Sequence, residues 1–502
     1  MTSRRATPGA EAHPELTPPS ATAQRTHTAT NAPVEPERIT LLDIARTLRD
    51  VLLGREERSP LDAMEERTED IVEWRFGRRR YLALRHPDHL EHVLVAGHDR
   101  YVKAAHYRLL AAVTGEGLLT NEGESWAHQR RLIQPLLGRR QLDGLAEHMV
   151  EATTQHLAGW EARVDGSEID LSAAMTELTL DVVGRALFGT TLADTAERLR
   201  PAVGMGMDTA VGAARLQSVL SLPPWFIDLV GRVVYRSPVL PGSVRRIQTA
   251  MRTIDGVVQE IIASRRGHPD DQSDMVGLLL AARDADGRAM TETQVRDELV
   301  TFMLAGHETT ANALSWLWYL LAQNPDARDR LHEEVDDVLG DRRPVATDAA
   351  ALEWTTACVH EALRLYPPAW ILEREAIAPD VVGGRPIPTG ATVHLSVYSV
   401  HRDPRWWPDP ERFDPARFLD GSDRARPRGA YLPFGAGRRV CVGQSFALLE
   451  ATLIAACMAQ RYQLDLVDGA TVEPEATVTL RPKGGLRLRL QRRDREERVA
   501  SA

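Results

Sequence analysis

The stretch LPFGAGRRVCVGQSFALLEATLIAA, residues 432–456, decides how this 502-residue chain folds. Two glycines and two arginines lead to Cys441, a third glycine follows, and a long apolar segment then begins. Up to Gln460 that segment carries only one charge, Glu450, so it predicts a central, buried helix. A cysteine before such a helix and next to Arg439 is placed to be a thiolate, because unpaired N–H groups and the helix dipole favour negative charge there. The alternative for a lone cysteine is an inert packing role.

Five positions around the cysteine form the pattern F-x-x-G-x-R-x-C-x-G: Phe434, Gly437, Arg439, Cys441 and Gly443. This pattern resembles the haem-binding loop of the cytochrome P-450 superfamily, and every defined position is matched. The resemblance implies haem b with Cys441 as the axial iron ligand, a thiolate that pushes electron density onto the iron and favours O–O cleavage. Gly437 and Gly443 are expected to let the backbone approach a large, flat group. Cys358 and Cys457 lack such surroundings, and we expect them to be packing residues.

The composition indicates a large protein core and no broad surface for nucleic acid. Hydrophobic residues make up 43% and charged residues 26% of the chain, and 61 basic against 71 acidic residues give a net charge of −10. Local arginine clusters at residues 78–80, 130–131 and 438–439 could still meet an acidic protein partner. Three cysteines form neither a disulfide framework nor a zinc-ligand pair, which favours a reducing, cytoplasmic setting.

Two regions are expected along the chain. Residues 1–37, rich in Pro, Thr and Ala, predict a disordered polar tail without a signal peptide or membrane anchor. Residues 38–495 predict one domain, mainly α with small β-sheets, and contain no uninterrupted run of eighteen apolar residues. By resemblance this is a single cytochrome P-450 fold domain of the soluble bacterial type, a monomer, with haem between a long distal helix and the cysteine-loop helix.

Several segments in the first two thirds of the chain predict particular elements. Residues 78–97 indicate a strand, a proline-marked turn and a helix. Apolar periodicity between residues 126 and 188 indicates several helices. A capping box at Thr291 and Gln294 begins a helical pattern that runs without proline until Pro325, a length of roughly 45–50 Å.

Further segments predict a helix, strands and a connection. The sequence TTACVHEALRLYP, residues 355–367, predicts a second helix. Strands are predicted in ATVHLSVYSV (391–400), TVTL (477–480) and LRLRL (486–490). The apolar, proline-broken residues 221–242 predict either a buried connection between helices or a lid over an apolar pocket.

The long helix contains AGHETT, residues 305–310. Gly306 weakens a helix interior by about 1 kcal/mol relative to Ala, and a Thr hydroxyl can bond the carbonyl four residues back and bend the helix. The segment could be a polar patch, but it is similar to the family's oxygen-activating pattern A-G-x-D/E-T-T, where the helix bulges over the haem. The resemblance implies that the Thr309 hydroxyl stabilises bound oxygen, that Glu308 relays protons, and that Ala305 leaves room for oxygen and substrate.

The segment EALR places Glu361 and Arg364 at i, i+3, which alone indicates an ordinary surface ion pair. It also resembles the family's E-x-x-R, which takes a third member from a downstream arginine. The family pattern W-x-x-P-x-x-F-x-P-x-R-F fits the following register: Trp407, Pro410, Phe413, Pro415, Arg417 and Phe418. We therefore assign Arg417, not Arg412, to this network, with a structural role in holding the cysteine loop.

The two haem propionates need cationic or N–H partners. Trp126 and Arg130, at i, i+4, match the family's W-x-x-x-R. Arg439 in the cysteine loop and Arg374, ten residues beyond Arg364, are further candidates. Each arginine alone is weak evidence for propionate binding, since most arginines are simply exposed to solvent. Together with Trp126, Phe434 and Gly437 they form the expected cofactor-binding set.

The resemblance implies a haem-thiolate monooxygenase that inserts one oxygen atom from O2 into an apolar small molecule. A terpenoid, a polyketide or a fatty-acid-like substrate fits equally well. By family position the pocket residues are Ala305, Trp370, Ile371, Thr479 and Leu480. No dinucleotide or flavin motif follows the haem loop, so electrons are expected from NAD(P)H through a separate reductase and a ferredoxin or flavodoxin.

Two other functions stay open at this point. A peroxygenase on the same fold would use peroxide and would not need the acid–alcohol pair of Glu308 and Thr309. A haem sensor or carrier would show thiolate ligation without oxygen insertion. The sequence does not identify the substrate or the oxidised position.

Overall fold

The computed structural model describes most of the chain from residue 67 onward. Its described residues are 37–38, 61, 67–76, 79–105, 107–163, 165–189, 242–266, 274–419, 421 and 425–493. Some predictions fall partly or wholly outside these residues: the polar tail up to residue 36, the start of the predicted strand at residue 78, the apolar connection at residues 221–241, and several stretches of the expected domain at residues 38–495.

Helices make up most of the fold. In chain order they are α1 (Pro87–Glu91), α2 (Tyr107–Thr114), α3 (Gly123–Ile133), α4 (Arg139–Ala158), α5 (Leu171–Phe188), α6 (Gly242–Arg266), α7 (Met275–Ala281), α8 (Glu292–Gln323), α9 (Pro325–Leu339), α10 (Glu353–Leu365), α11 (Val397–Val400) and α12 (Gln444–Ala459). A π-helical segment, His92–Ala96, follows α1 directly. The short 3₁₀ turns include Pro415–Phe418 and Gly437–Arg439.

The strands form small sheets. They are β1 (Glu37–Arg38), β2 (Ile71–Phe76), β3 (Arg79–Leu84), β4 (Tyr101–Lys103), β5 (Glu168–Asp170), β6 (Ile371–Ala376), β7 (Asp380–Val382), β8 (Arg385–Ile387), β9 (Thr392–Ser396), β10 (Tyr462–Leu466), β11 (Pro474–Ala476), β12 (Leu480–Pro482) and β13 (Arg487–Arg492). One sheet has the order β1-β2-β3-β9-β6-β4 and another has the order β10-β13-β5, while β7–β8 and β11–β12 are two-stranded. A mainly helical chain with small sheets is therefore confirmed.

Helix α8 begins and ends where the sequence predicts. The Thr291 hydroxyl accepts a hydrogen bond from the N–H of Gln294 at 3.2 Å, and the Gln294 side chain accepts one from the N–H of Thr291 at 2.9 Å. The helix ends at Gln323, two residues before Pro325, so its 32 residues span roughly 48 Å. It packs against α5, α10 and α12 and therefore runs through the apolar core.

Helix α12 confirms the prediction of a buried helix after the cysteine. Residues 450–459 are all buried, and residues 453–456 have no exposed surface. A helix that is apolar on every side is stabilised by burying all of them, at about 25 cal/mol per Å² of apolar surface. Cys358 and Cys457 are buried in the same core, which confirms that they are packing residues.

Two predicted strands are wrong in part. In residues 391–400 the strand stops at Ser396, because the Ser396 hydroxyl accepts the N–H of Ser399 and starts the helical turn α11. In residues 477–480 only Leu480 belongs to a strand. The three residues before it form the turn of the β11–β12 hairpin, where the Thr477 N–H and hydroxyl both donate to the carbonyl of Thr479.

The other predicted elements are confirmed. The strand, turn and helix of residues 78–97 correspond to β3 and α1, and the periodic residues 126–188 fall largely in α3, α4 and α5. The second predicted helix is α10, and the last predicted strand is β13. Within the described ranges, no helix combines the length and the apolarity needed to cross a membrane.

Candidate functional site

The cysteine loop folds back on itself before α12. The N–H of Cys441 donates to the carbonyl of Phe434 at 2.9 Å, which closes the loop. Gly437 has a φ of +68°, and a Cβ there would lie 2.2 Å from the carbonyl oxygen of Leu94. The backbone of Leu94 therefore by itself requires glycine at 437. A Cβ on Gly443 would lie at an ordinary 3.9 Å from the Cys441 Sγ.

Cys441 is an exposed residue, although its thiol is close enough to the protein interior to be desolvated. Burial raises the pKa of the Cys441 thiol, while the N–H of Gly443 and the Arg130 guanidinium act in the opposite direction. Since Cys441 lies two residues before Gly443, the N-cap of α12, it has the helix start beside it, as predicted. The thiol is thus uncovered on one side and supported by polar groups on the other.

Ala305 is exposed at the middle of α8 although Leu304 and His307 beside it are buried. The Thr309 hydroxyl donates to the Ala305 carbonyl at 2.8 Å, and the Thr310 hydroxyl donates to the carbonyl of Gly306 at 3.1 Å. Both hydroxyls thus make the bond expected four residues back. In this structure α8 stays helical through residues 305–310, without the bulge that the family resemblance implies.

Glu308 has a specific hydrogen-bond partner. The Thr479 hydroxyl lies 2.6 Å from one carboxylate oxygen of Glu308, and the Asn312 side-chain amide lies 3.1 Å from the same hydroxyl. His307, the next residue along, is buried and directs its Nδ1 to the carbonyl of Met303 at 2.7 Å. The acid of AGHETT is thus held by the β11–β12 turn, while its histidine is bonded within α8.

Three cations come together beside the cysteine loop: Lys103, Arg374 and Arg439, here called the cation cluster. Strand pairing puts Lys103 opposite Arg374 on β4 and β6, and the Arg439 guanidinium donates to the Glu122 carboxylate. Burial, together with the charges of Arg374 and Arg439, lowers the pKa of Lys103 well below its usual range. Burial likewise lowers the pKa of Arg439 to about 10. The described contacts give the cluster one carboxylate, Glu122, so it has a surplus of positive charge.

Helix α3 supports this cluster. The buried Trp126 ring lies 3.7 Å below the Arg439 guanidinium, a cation–π contact that fixes the arginine over the ring. Arg130, one turn later, donates to the carbonyl of Val440 at 2.9 Å, directly beside the cysteine. The predicted pair Trp126 and Arg130 thus contacts the cysteine loop from one helix face.

The predicted Glu361–Arg364 pair has no exposed surface. Nε and Nη2 of Arg364 donate to the two carboxylate oxygens of Glu361 at 2.6 and 2.7 Å. The remaining bonds of the guanidinium go to the carbonyl oxygens of His401, Pro410 and Arg412. Arg417 Nε lies 3.4 Å from the Glu361 carboxylate, whereas Arg412 reaches the pair only through its backbone. The structure thus brings Arg417, not the side chain of Arg412, to Glu361.

His401 connects this pair to the cysteine loop. Its Nδ1 lies 3.1 Å from the carbonyl of Arg364, and its Nε2 accepts the N–H of Leu432 at 2.8 Å. Burial is the main cause that lowers the pKa of His401 to about 3, so the ring is neutral and can accept at Nε2. Leu432 is the first residue of the stretch that carries Cys441. Hydrogen bonds through His401 therefore connect the Glu361–Arg364 pair to the start of that stretch.

The residues predicted to line the substrate pocket are Ala305, Trp370, Ile371, Thr479 and Leu480. Trp370 and Leu480 pack together in a small apolar cluster, and the Trp370 indole donates to the carbonyl of Thr477 at 3.0 Å. Thr479 is turned toward Glu308, and Ile371 is partly buried at the start of β6. Of the five, only Ala305 is exposed.

Sequence reasoning missed Lys103, Glu122, His401 and Asn312 as contributors. One signal was available for Lys103, since it is one of only two lysines in a chain with 61 basic residues. Asn312 carried a weaker signal, because it lies one turn after Glu308 on the same helix. The others are polar residues whose partners are distant in sequence, and no local pattern identifies them.

The residues fit the haem that the sequence implies. The surplus charge of the cation cluster suits two carboxylates, because charge-assisted hydrogen bonds to carboxylates are the strong ones. The Cys441 thiol is uncovered, and a metal cation at its Sγ would offset the effect of burial, since coordination deprotonates a thiol. A thiol on the cysteine loop and a cation cluster beside that loop are a suitable donor set for a group with one metal and two acids.

Comparisons with known proteins agree with this geometry. The family model for cytochrome P450 matches residues 51–488. The protein named cytochrome P450 132 in Mycobacterium tuberculosis is 43% identical over 427 residues, which cover 85% of this chain and 91% of that protein. Cyclooctatin synthase of Streptomyces melanosporofaciens is 34% identical over 430 residues, covering 84% of this chain and 88% of that protein. The crystal structure of the cytochrome P450DA heme domain is similar with a TM-score of 0.76 and 26% identity, covering 87% of this chain and 92% of that chain.

Proposed function

The chain belongs to the cytochrome P450 family and is a monooxygenase of that family, and on this premise we propose that it oxygenates a terpenoid, with Cys441 as the thiolate ligand of haem. The observation that carries the ligand assignment is the uncovered Cys441 thiol beside the cation cluster. A thiolate-ligated haem activates O2, so that one oxygen atom enters a C–H or C=C bond and the other leaves as water. The net reaction takes up two electrons and two protons.

The protein's own residues bind and orient this chemistry. Lys103, Arg374 and Arg439 hold the two propionates, and Trp126 keeps Arg439 in place. Glu361, Arg364 and Arg417 hold the cysteine loop through His401.

Protons reach the reaction through α8. Glu308 takes protons from solvent and passes them toward Thr309, whose hydroxyl lies beside the exposed Ala305. A positioned acid and alcohol of this kind are typical of general acid–base catalysis, which contributes about 10²–10⁴-fold. Their presence favours O2 with a reductant as the oxidant, rather than peroxide.

A terpenoid is supported by the relatives. Homologues at about 33% identity oxidise terpenoids, cyclooctatin synthase among them, and a role in secondary metabolism fits the same comparison. A hydrocarbon or mono-oxygenated terpene offers the apolar surface that a site next to Ala305 and Ile371 would bury. Terpenoids are therefore preferred over polyketides and fatty acids.

Electrons are proposed to come from NAD(P)H through a reductase and an acidic ferredoxin or flavodoxin. Two of the three arginine clusters of the sequence, residues 130–131 and 438–439, meet at the cysteine loop, because Arg130 donates to the carbonyl of Val440. Arg131 and Arg438 are exposed there and offer positive charge to an acidic partner. A pathway that draws on NAD(P)H also implies a cytoplasmic location.

Spectroscopy and isotope labelling test the proposal together. The reduced CO complex of the purified protein should show the red-shifted Soret band of thiolate ligation, and Cys441→Ser should lose it. Wild-type protein with ferredoxin, reductase and NADPH should convert a member of a terpene panel to a product that contains one ¹⁸O atom from ¹⁸O2.

Three outcomes would contradict parts of this function. A Ser variant that keeps the red-shifted band would exclude Cys441 as the ligand. Product formed with hydrogen peroxide but never with O2 and reductant would make the protein a peroxygenase. Oxygenation of polyketides or fatty acids but no terpene would overturn the substrate class alone.

A further inference from the structure

Thr479 binds Glu308 through a hydrogen bond of defined direction. The Thr479 hydroxyl donates to a carboxylate oxygen of Glu308, and the two oxygens are 2.6 Å apart. The single proton of the Thr479 hydroxyl is therefore used on Glu308. Asn312, 3.1 Å from the same hydroxyl, must then present its NH2 group and donate. The order of donation is therefore Asn312 to Thr479 to Glu308.

The hydroxyl of Thr479 is held rigidly. Thr479 is 5% exposed, and its carbonyl accepts both the N–H and the hydroxyl of Thr477. Both backbone polar groups of the next residue, Leu480, are hydrogen-bonded. Its N–H donates to the carbonyl of Pro368 at 3.0 Å, and its carbonyl accepts the indole N–H of Trp316 at 3.2 Å. Since Trp316 lies on α8, the turn is tied to the same helix that carries Glu308.

We propose that Thr479 is a positioning residue that fixes the carboxylate of Glu308 for proton delivery to Thr309. The inference rests on the proposed function, in which Glu308 relays protons. Glu308 and Thr309 are neighbours on α8, but the Thr309 hydroxyl is directed to the Ala305 carbonyl. A carboxylate free to rotate would spend less time in reach of that hydroxyl. A contact from another element, the β11–β12 turn, limits this freedom.

The first experiment measures coupling, the amount of product formed per NAD(P)H consumed, in the holoenzyme with its redox partners. Thr479→Val keeps the shape and removes the hydroxyl, and we expect coupling to fall about tenfold, less than the about 10²–10⁴-fold of a lost general acid–base group because Glu308 itself remains. Thr479→Ser restores the hydroxyl and should restore coupling to within about twofold of wild type. Thr477→Val is the matched control, because it removes a hydroxyl that bonds the same turn but not Glu308.

A double-mutant cycle separates this inference from the proposed function. In a Glu308→Gln background, Thr479→Val should change coupling by less than about twofold, since the group through which it acts is gone. If Glu308→Gln couples as well as wild type, the assignment of Glu308 in the proposed function fails. If Glu308→Gln uncouples but Thr479→Val does not, only the role of Thr479 fails.

A structural readout completes the test. Crystal structures of the holoenzymes should show the Glu308 side chain in one orientation in wild type and Thr479→Ser, and displaced or in several orientations in Thr479→Val. An unchanged Glu308 in Thr479→Val, or equal uncoupling by Thr477→Val, would show that the turn acts only as structure and would overturn the inference.

Discussion

The N–H of Leu432 donates to Nε2 of His401 at 2.8 Å, which joins the start of the cysteine-bearing stretch to a buried ring bonded to Arg364. The bond requires a neutral imidazole, because a protonated ring has no acceptor. The stability of the loop therefore depends on a histidine that has to stay unprotonated.

His401 should make the protein sensitive to acid. Its pKa is about 3 in the folded protein against an ordinary 6.5, so below pH 6.5 the unfolded chain binds a proton that the folded one does not. The contribution of His401 to the free energy of unfolding is complete above pH 6.5 and is lost as the pH drops toward 3, by about 3 kcal/mol at pH 4. His401→Gln can donate and accept without titrating, so urea unfolding at pH 4 and pH 7 should differ less in the variant. An equal difference in both proteins would exclude His401 as the cause.

Arg417→Ala should lower haem content, whereas Arg412→Ala should be mild. Arg417 Nε lies 3.4 Å from the buried Glu361 carboxylate, and breaking a buried ion pair costs about 3–5 kcal/mol, an upper figure here because Arg364 remains. The Arg412 side chain is exposed, and its useful carbonyl survives the substitution. Haem absorbance per protein after purification is the measurement. Equal haem content in the two variants would contradict the assignment of Arg417, rather than Arg412, to the Glu361–Arg364 network.

Arg439→Leu should weaken haem binding about 10- to 100-fold. The variant removes a charge-assisted hydrogen bond, which is worth about 1.5–3 kcal/mol, and leaves Glu122 without its arginine partner. Transfer of haem to an excess of apomyoglobin measures the change. Arg131→Leu removes an exposed arginine of α3 that is not part of the cation cluster, so it is the control and should transfer haem at the wild-type rate. Similar rates for both variants would argue against the cation cluster as the propionate site.

Thr309→Ala should lower the amount of product formed per NAD(P)H while NAD(P)H consumption continues. Ala is a better helix former than Thr, so α8 should survive and haem content and substrate affinity should stay near wild type. NAD(P)H consumption should continue, with a larger share ending as hydrogen peroxide rather than product. Peroxide and product are quantified with one substrate and one reductase for both proteins. Unchanged coupling would mean that oxygen activation takes place elsewhere or that another hydroxyl replaces Thr309.

Glu450→Gln should flatten the dependence of stability on pH between about pH 5 and 8. Glu450 is fully buried on α12, and burial raises its pKa to about 8 against an ordinary 4.5. Between these values the folded protein holds a proton that the unfolded chain has released, so stability falls as pH rises from about 5 to 8, by about 3 kcal/mol. Gln cannot lose a proton, so urea unfolding should show a smaller fall in the variant. The exposed Glu333→Gln serves as the control and should behave as wild type.

Local patterns in the sequence were enough for the elements that carry the site. The capping box at Thr291 fixed the start of α8, since the cap is made by residues three apart. The all-round apolar segment after Cys441 predicted a buried helix because burial follows residue type. The same reasoning failed at residues 397–400 and 477–479, where a serine cap and a hairpin turn outweighed strand propensity.

The sequence by itself determined the thiol, its loop, the acid–alcohol pair and the helices that carry them, because each of these features is formed by residues that are close together in the chain. Only the tertiary structure decided which distant groups meet. Lys103 faces Arg374 through strand pairing, His401 reaches Leu432 across 31 residues, and Thr479 reaches Glu308 across 171. Such contacts depend on how the sheets and helices pack, and no spacing along one segment encodes the distance between two segments. The reactive groups can therefore be found from neighbouring residues in the sequence, whereas the charge balance around them and their positioning depend on tertiary contacts.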